Sequence, residues 1–305
     1  MNVFVTFAAT AAILPPAQVR AVTPQEKLAV PAVLQQLRGK TIRPNLKPYS
    51  AIKLYPVKVG KIVIQPLSQP NVDLRPKIES LGIAVRNQGG RGTCSVHALA
   101  FLIEYMYRTR KGIATSNLSE EYLNHMTNVV INKYGDGDFF SNIALGFSAY
   151  GIVAERLLPY KPTYDPNQAI SQTLKNAGKS QPKLEACFIK EWNVNNGASQ
   201  AQIDAACESI KADIPVAAGL RWPRSGKWLT TVVYDLEVMI PPAAADVFDG
   251  HSIAFVGYKK NNAFPGGGYF IFRNHGGPDW WDKGYGYMSF AYVKQYCNDL
   301  MVYLP

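Results

Sequence analysis

The spacing of apolar and polar positions divides the chain into three stretches. Residues 3–14 form a short apolar run. Residues 22–70 are broken by Pro24, Pro31, Pro44, Pro48, Pro56, Pro66 and Pro70. Within that stretch Leu28, Val30, Val33, Leu34 and Leu37 fall roughly on one face and predict a short helix over about residues 25–37. Residues 52–56 and 57–64 read as extended. From Val72 onward the pattern is that of a globular unit. Apolar residues at helical spacing predict helices over residues 94–108, 119–133, 140–150 and 201–213. Ser119 is a suitable N-cap with Glu120 and Glu121 in the first turn, Gly151 is a stop, and Pro215 ends the last helix. Strands are predicted over residues 215–220, 252–259, 268–273 and 286–290, separated by Gly- and Asn-rich turns. The run Gly266-Gly267-Gly268 reads as a hairpin turn and not as a phosphate loop, since no helix follows it. Helices dominate the first half and antiparallel strands the second. This is an α+β pattern, with a cleft expected between two subdomains. No internal repeat or low-complexity tract is present.

Composition adds little to that picture, and charge adds more. A chain of 305 residues with 47% hydrophobic and 18% charged residues is an ordinary globular protein, long enough for a sizeable core. The net charge of +10 is unevenly spread: residues 1–70 hold nine Lys or Arg and one acidic residue, Glu26. The basic excess therefore sits in the N-terminal quarter. That segment lacks the interleaving of aromatic and basic residues that stacks bases, which argues against a nucleic-acid groove. A separate, removable or regulatory segment accounts for the asymmetry better. The run over residues 3–14 is too short to span a membrane. With Pro15-Pro16 and residues 17–21 behind it, it is expected to act as a signal peptide over residues 1–21. That would make the protein secreted or periplasmic. The absence of Lys or Arg before the run keeps a mobile or strand-forming tail open.

The chemistry concentrates in Asn87-Gln88-Gly89-Gly90-Arg91-Gly92-Thr93-Cys94-Ser95. A thiol attacks only as thiolate, and a helix N-terminus favours that form by placing free N–H groups beside the sulfur. The glycines let backbone approach a bound peptide and leave the Cys94 N–H free for an oxyanion. Gln88, six residues earlier, offers a side-chain NH2 as second donor. A base and a group to orient it must come from elsewhere. His251 opens an apolar strand between Gly250 and Gly257, and Asn274 ends another.

Other candidates are weaker. His97 reads as a core-facing helix residue, His275 as surface or cleft rim, and His125 as structural or surface without a partner. Cys187, Cys207 and Cys297 lack zinc spacing, and one disulfide among them is open if the protein is exported. Trp280, Trp281, Tyr285 and Tyr287 read as packing in preference to a carbohydrate platform.

In this order these segments resemble the papain family of cysteine peptidases. Val72-Asp73-Leu74-Arg75 looks like a mature N-terminus, and Gln88 to Cys94 like the oxyanion and nucleophile segment. Leu118-Ser119-Glu120-Glu121 is similar to the start of the family's second helix. Gly137, with Ala144-Leu145 and Tyr150-Gly151, is similar to the glycine wall and the helix after it. Gly250-His251-Ser252 with Val256-Gly257-Tyr258 looks like the histidine strand. Asn274 with Gly276-Gly277, Trp280-Trp281 and Gly284-Tyr285-Gly286-Tyr287 looks like the asparagine loop. The match spans about residues 71–305.

The departures are specific. Arg91 stands where the family has a cysteine, and residues 123–127 lack its disulfide partner. Ser95 replaces the tryptophan after the nucleophile. Gly276 replaces the tryptophan that shields the asparagine, leaving Trp280 or Trp281 to cover the Asn274–His251 bond. The pattern resembles a bacterial or otherwise divergent branch.

The resemblance implies a papain-like α+β fold, with a helical half and an antiparallel, barrel-like half. It implies a Cys94, His251, Asn274 triad with Gln88 as oxyanion donor. Gly137 and Asp138 would form a wall of the substrate cleft. Gly250, Ser252 and Ala217 would line it, Ser252 and Ala217 at the pocket for the second residue before the cut. No cofactor and no metal are implied. The substrates would be peptides or proteins, and the enzyme a monomer made as a zymogen. Residues 22–70 would inhibit it by lying along the cleft. A non-cutting peptide-binding protein of the same fold, and an exopeptidase, remain open.

Overall fold

The computed structural model describes residues 31–36, 70–114 and 117–305. The signal-peptide expectation for residues 1–21 and the extended stretches at residues 52–56 and 57–64 lie outside the described residues. So does most of the helix expected over residues 25–37, of which one turn, α1 (Ala32–Gln35), is described.

The domain proper starts with β1 (Val72–Asp73) and α2 (Arg75–Ser80). The helical half follows: α3 (Cys94–Arg110), α4 (Glu120–Ile131), α5 (Phe140–Tyr150) and α6 (Gln172–Lys179). The second half contains β2 (Glu185–Lys190), α7 (Gln200–Lys211), β3 (Val216–Pro223), β4 (Thr230–Val233), β5 (Leu236–Met239), β6 (Val247–Lys260), β7 (Gly268–Arg273), β8 (Tyr285–Ser289), α8 (Phe290–Tyr296) and β9 (Cys297–Leu304). The expected α+β arrangement is present.

Local chemistry explains the principal boundaries. Ser119 caps α4, its hydroxyl accepting the Tyr122 N–H at 2.9 Å, and Asn132 closes the helix in the left-handed conformation. A reciprocal Ser199–Gln202 capping box starts α7. Helix α3 is buried at every position from Cys94 to Tyr107. That fits its nearly unbroken apolar sequence, since a helix apolar all round belongs inside a core. It packs against β6, β3 and β9 on one side and α4 and α5 on the other.

The strands are hydrogen-bonded in the order β2-β9-β3-β6-β7-β8-β5-β4, with β1 added to β6. The expected barrel-like half is therefore an open sheet. It is antiparallel except at β5–β8, where a single parallel pairing joins Met239 to Met288. The β4–β5 hairpin ends this path without returning to β2, which explains why the sheet does not close.

Three expectations are corrected. His275 is buried and not at a rim, because its backbone is drawn into a bridge with residues 87–88. His125 has a partner: its Nε2 lies 3.2 Å from Glu121 Oε1, one helical turn back, and its ring stacks on Tyr164. All four cysteines are buried and none is in a disulfide, so none joins Cys187, Cys207 and Cys297. The aromatic cluster at residues 280–287 is packing, as expected, with Trp280, Trp281, Tyr285 and Tyr287 buried. Among the described residues no helix is long and apolar enough to cross a membrane.

Candidate active site

The antiparallel pairing of β6 with β7 sets Ala254 opposite Arg273. Two residues that are 23 apart in the chain, His251 and Asn274, thereby become neighbours. Asn274 Oδ1 lies 2.9 Å from His251 Nε2, and both residues are completely buried. With the proton on Nε2, the asparagine fixes the tautomer and leaves Nδ1 as the free base. Among the described side chains Nδ1 has no hydrogen-bond partner.

Cys94 is the first residue of α3, and α3 packs on β6. This packing brings the thiol to the residues flanking His251. Its Sγ lies 3.9 Å from the Gly250 carbonyl oxygen. Burial raises the Cys94 pKa. Hydrogen bonds involving the backbone and hydroxyl of Ser252 and the N–H groups of Ser95 and Cys94 offset part of that rise. Burial also lowers the His251 pKa, to about 4, against the opposing bond to Asn274. Burial thus acts against the charged form of each group, and the bond to Asn274 acts for the charged imidazole.

Gln88 is held between the two halves. Its backbone N–H donates to the His275 carbonyl at 2.9 Å, and Asn87 forms a bridge with Gly276. Its Nε2 donates to the Arg91 carbonyl at 2.8 Å, which uses one of its two N–H bonds and leaves the other. Gln88 Oε1, His251 Nδ1 and Asn274 Nδ2 are buried without partners. Unsatisfied buried polar atoms are rare in proteins, and three of them here belong to the residues singled out for chemistry.

The remaining expected residues divide into two groups. Gly250, with φ of +109°, and Ser252 flank His251 and face the thiol. Gly137, with φ of +65°, lies against the loop before Cys94: a Cβ there would sit 2.3 Å from the Gly92 carbonyl oxygen. Asp138 is buried. Its carboxylate accepts from Phe139 N–H and Asn142 Nδ2 and pairs with Lys133, while its own N–H donates to Ser95 Oγ. Ala217 is fully enclosed in β3, paired with Ala254 and Met301.

Two neighbours, Trp222 and Tyr160, were not found in the sequence, whereas Trp280 was expected as cover here. Trp222, at the end of β3, lies with its ring centroid 4.4 Å from that of His251 and edge-on to Trp228 and Phe272. Trp280 packs on Gly276, where its Cβ and ring atoms leave little room. Tyr160 donates to the Gln88 carbonyl at 2.9 Å and shares a 2.6 Å bond with Thr93 Oγ1. Arg91 lies 4.5 Å from the Tyr160 ring and is ion-paired to Glu121 and Asp136. The only signal for Arg91 was the joint loss of two cysteines. For Trp222 and Tyr160 no local pattern exists, since their partners are distant in sequence.

Among the described residues no cluster of three His, Cys, Asp or Glu is arranged to hold a metal ion. A cavity of about 500 Å3 lies elsewhere, between α2 and residues 282–285, lined by Arg75, Glu79, Ile83, Asp282 and Tyr285 among others.

A family model described as papain family cysteine protease matches residues 69–301. Comparison with curated protein sequences finds no match. Among solved structures the chain is similar to xylellain, a cysteine protease from Xylella fastidiosa. Identity is 17%, the TM-score is 0.60, and the alignment covers 88% of this chain and 96% of that one. It is similar to digestive procathepsin L 3 of the Tenebrio molitor larval midgut at 18% identity and TM-score 0.53, over 82% and 73% of the two chains. It is also similar to the bromelain protease from Ananas comosus, solved with the inhibitor E64, at 18% identity and TM-score 0.51, over 76% and 97%. At these identities the likeness is one of fold.

Proposed function

The chain belongs to the papain family of cysteine proteases; from that premise we propose that it hydrolyses peptide bonds in peptide or protein substrates through Cys94, His251, Asn274 and Gln88. The observation that carries this reading is the buried 2.9 Å contact between His251 Nε2 and Asn274 Oδ1. Such a contact leaves one imidazole nitrogen available as a base, next to a thiol at a helix N-terminus.

His251 Nδ1 takes the Cys94 proton and thereby holds the thiolate as an ion pair, and Sγ attacks the scissile carbonyl carbon. Negative charge develops on the carbonyl oxygen, where the Cys94 N–H and the spare Gln88 N–H donate; each such donor is worth roughly 3 kcal/mol. The imidazolium then gives its proton to the leaving amine, and a thioester remains on Cys94. His251 next deprotonates a water that attacks the thioester, releasing the acid and restoring the thiol.

We also read residues 22–70 as a pro-segment, severed from the domain by a cut between about residues 65 and 71. Three observations support this. The segment is basic, the family match begins at residue 69, and solved neighbours include proforms from the Tenebrio and ragweed pollen proteases. Export of the zymogen follows from the N-terminal reading.

Labelling with an epoxide that alkylates active-site thiols tests the assignment. Wild-type protein freed of its N-terminal segment should gain one adduct at Cys94, and Cys94→Ala none. A wild-type protein that folds but takes no label would favour a peptide-binding protein without hydrolysis.

A further inference from the structure

The turn α1 does not stand apart from the domain. Leu34 is 0% exposed and belongs to the main apolar cluster, and α1 packs against α7. The Cys187 thiol on β2 lies 3.6 Å from the Leu34 carbonyl oxygen. A four-residue helix does not hold its shape alone, because nucleation costs more than so few hydrogen bonds return. The order of α1 therefore comes from what it packs on. Helix α7 has the buried apolar residues Ile203, Ala206, Cys207 and Ile210, and Cys187 of β2 is buried too.

The location sets this contact apart from the cleft. Strand β2 is the end of the sheet, and His251 lies on β6, three strands away through β9 and β3. At about 4.8 Å per strand, the path along the sheet from β2 to β6 is roughly 14 Å.

We propose that the face formed by α7 and β2 is a docking site for the chain's own residues 31–36, and that it retains the N-terminal arm after maturation. The maturation step rests on the peptidase reading above; the docking does not. Cleavage between residues 65 and 71 consumes one water and leaves a carboxylate on the arm and an ammonium on the domain. It breaks no contact of Leu34. The mature particle is then two chains, with the arm held at the sheet edge while its other end is released.

The test separates docking from self-cleavage. In the full-length Cys94→Ala protein, a recognition sequence for an unrelated site-specific protease replaces residues 65–70. The product is cut, and size-exclusion elution is followed by intact mass. Arm and domain should co-elute as one particle of monomer mass. Leu34→Met should keep the arm, Leu34→Ala should release part of it, and Leu34→Asp should release all of it. The same series should lower the melting temperature of the uncut protein in that order, by roughly 5 °C or more for Leu34→Ala. An arm that leaves the cut wild-type domain would overturn the proposal. So would an arm that stays on folded Leu34→Asp protein, or a particle of dimer mass.

Discussion

The guanidinium of Arg91 joins Glu121 on α4 to Asp136 in the loop after it, the second contact at 2.6 Å. Arg91 and Glu121 are both buried. Family members usually tie this segment to the second helix with a disulfide; here an ion-pair network makes the connection. Removing Arg91 would strand the Glu121 charge, which costs about 3–5 kcal/mol when a buried pair is broken one-sidedly. Arg91→Met should lower the melting temperature by roughly 10 °C or more, read by calorimetry. Reductant should leave the wild-type melting temperature unchanged, since none of the four cysteines is in a disulfide.

The same network has a pH signature. Burial pushes the Glu121 pKa up, but hydrogen bonds from His125 and Arg91 outweigh it and hold the carboxyl below its ordinary value of 4.5. A depressed folded pKa gives stability that is present above the unfolded value and is lost as pH falls through the folded one. Stability should therefore decline below about pH 4.5, and Glu121→Gln should flatten that acid limb in denaturant titrations.

Asp299 works in the opposite direction. Burial raises its pKa to about 7, against Lys190 and a bond from the Gly219 N–H. A raised folded pKa gives stability that is complete below the unfolded value and is lost as pH rises through the folded one. The loss should develop between about pH 4 and pH 7. Asp299→Asn should accordingly raise the melting temperature at pH 8 and change it little at pH 4. Equal shifts at both pH values would exclude ionisation as the cause.

For catalysis, Cys94→Ala and His251→Ala should abolish peptide hydrolysis, because both partners of the proton transfer are needed. Asn274→Ala should leave partial activity, since it only orients the ring. Gln88→Ala should reduce kcat by about 10²–10³ and spare the fold. Full hydrolysis by Cys94→Ala protein would sink the assignment.

Trp222 packs its ring against the imidazole of His251, with centroids 4.4 Å apart. Trp222→Ala should admit water to His251 and raise its pKa from about 4 towards 6.5, since burial is the main cause of the depression. The acid limb of the kcat/KM profile should move to higher pH, and Trp222→Phe should largely restore it. A pH profile unchanged by Trp222→Ala would show that the ring does not shield the histidine.

The sequence made the spacing-driven features legible. Helix α5 and strand β7 were read at their actual ends, because Gly151 and Gly268 punctuate strong apolar runs. The juxtaposition of Cys94, His251 and Asn274 was legible through resemblance, and only the fold could supply the 2.9 Å contact. Helix α6 escaped detection because it is mostly polar, with Leu174 and Ala177 as its apolar contacts. Helix α8 escaped because it is short and interrupted by Lys294 and Gln295, and β9 because Asn298 and Asp299 near its start are polar residues that only the neighbouring strands bury. The electrostatic substitution at Arg91 was hidden for a similar reason: its partners lie 30 and 45 residues away.

The bridge between residues 86–88 and 275–277 has a mechanical meaning. Gly277 N–H donates to the Arg86 carbonyl, Gln88 N–H donates to the His275 carbonyl, and Asn87 pairs with Gly276. Two backbone hydrogen bonds thus tie the loop before Cys94 to the loop after Asn274, and those segments cannot part without breaking both.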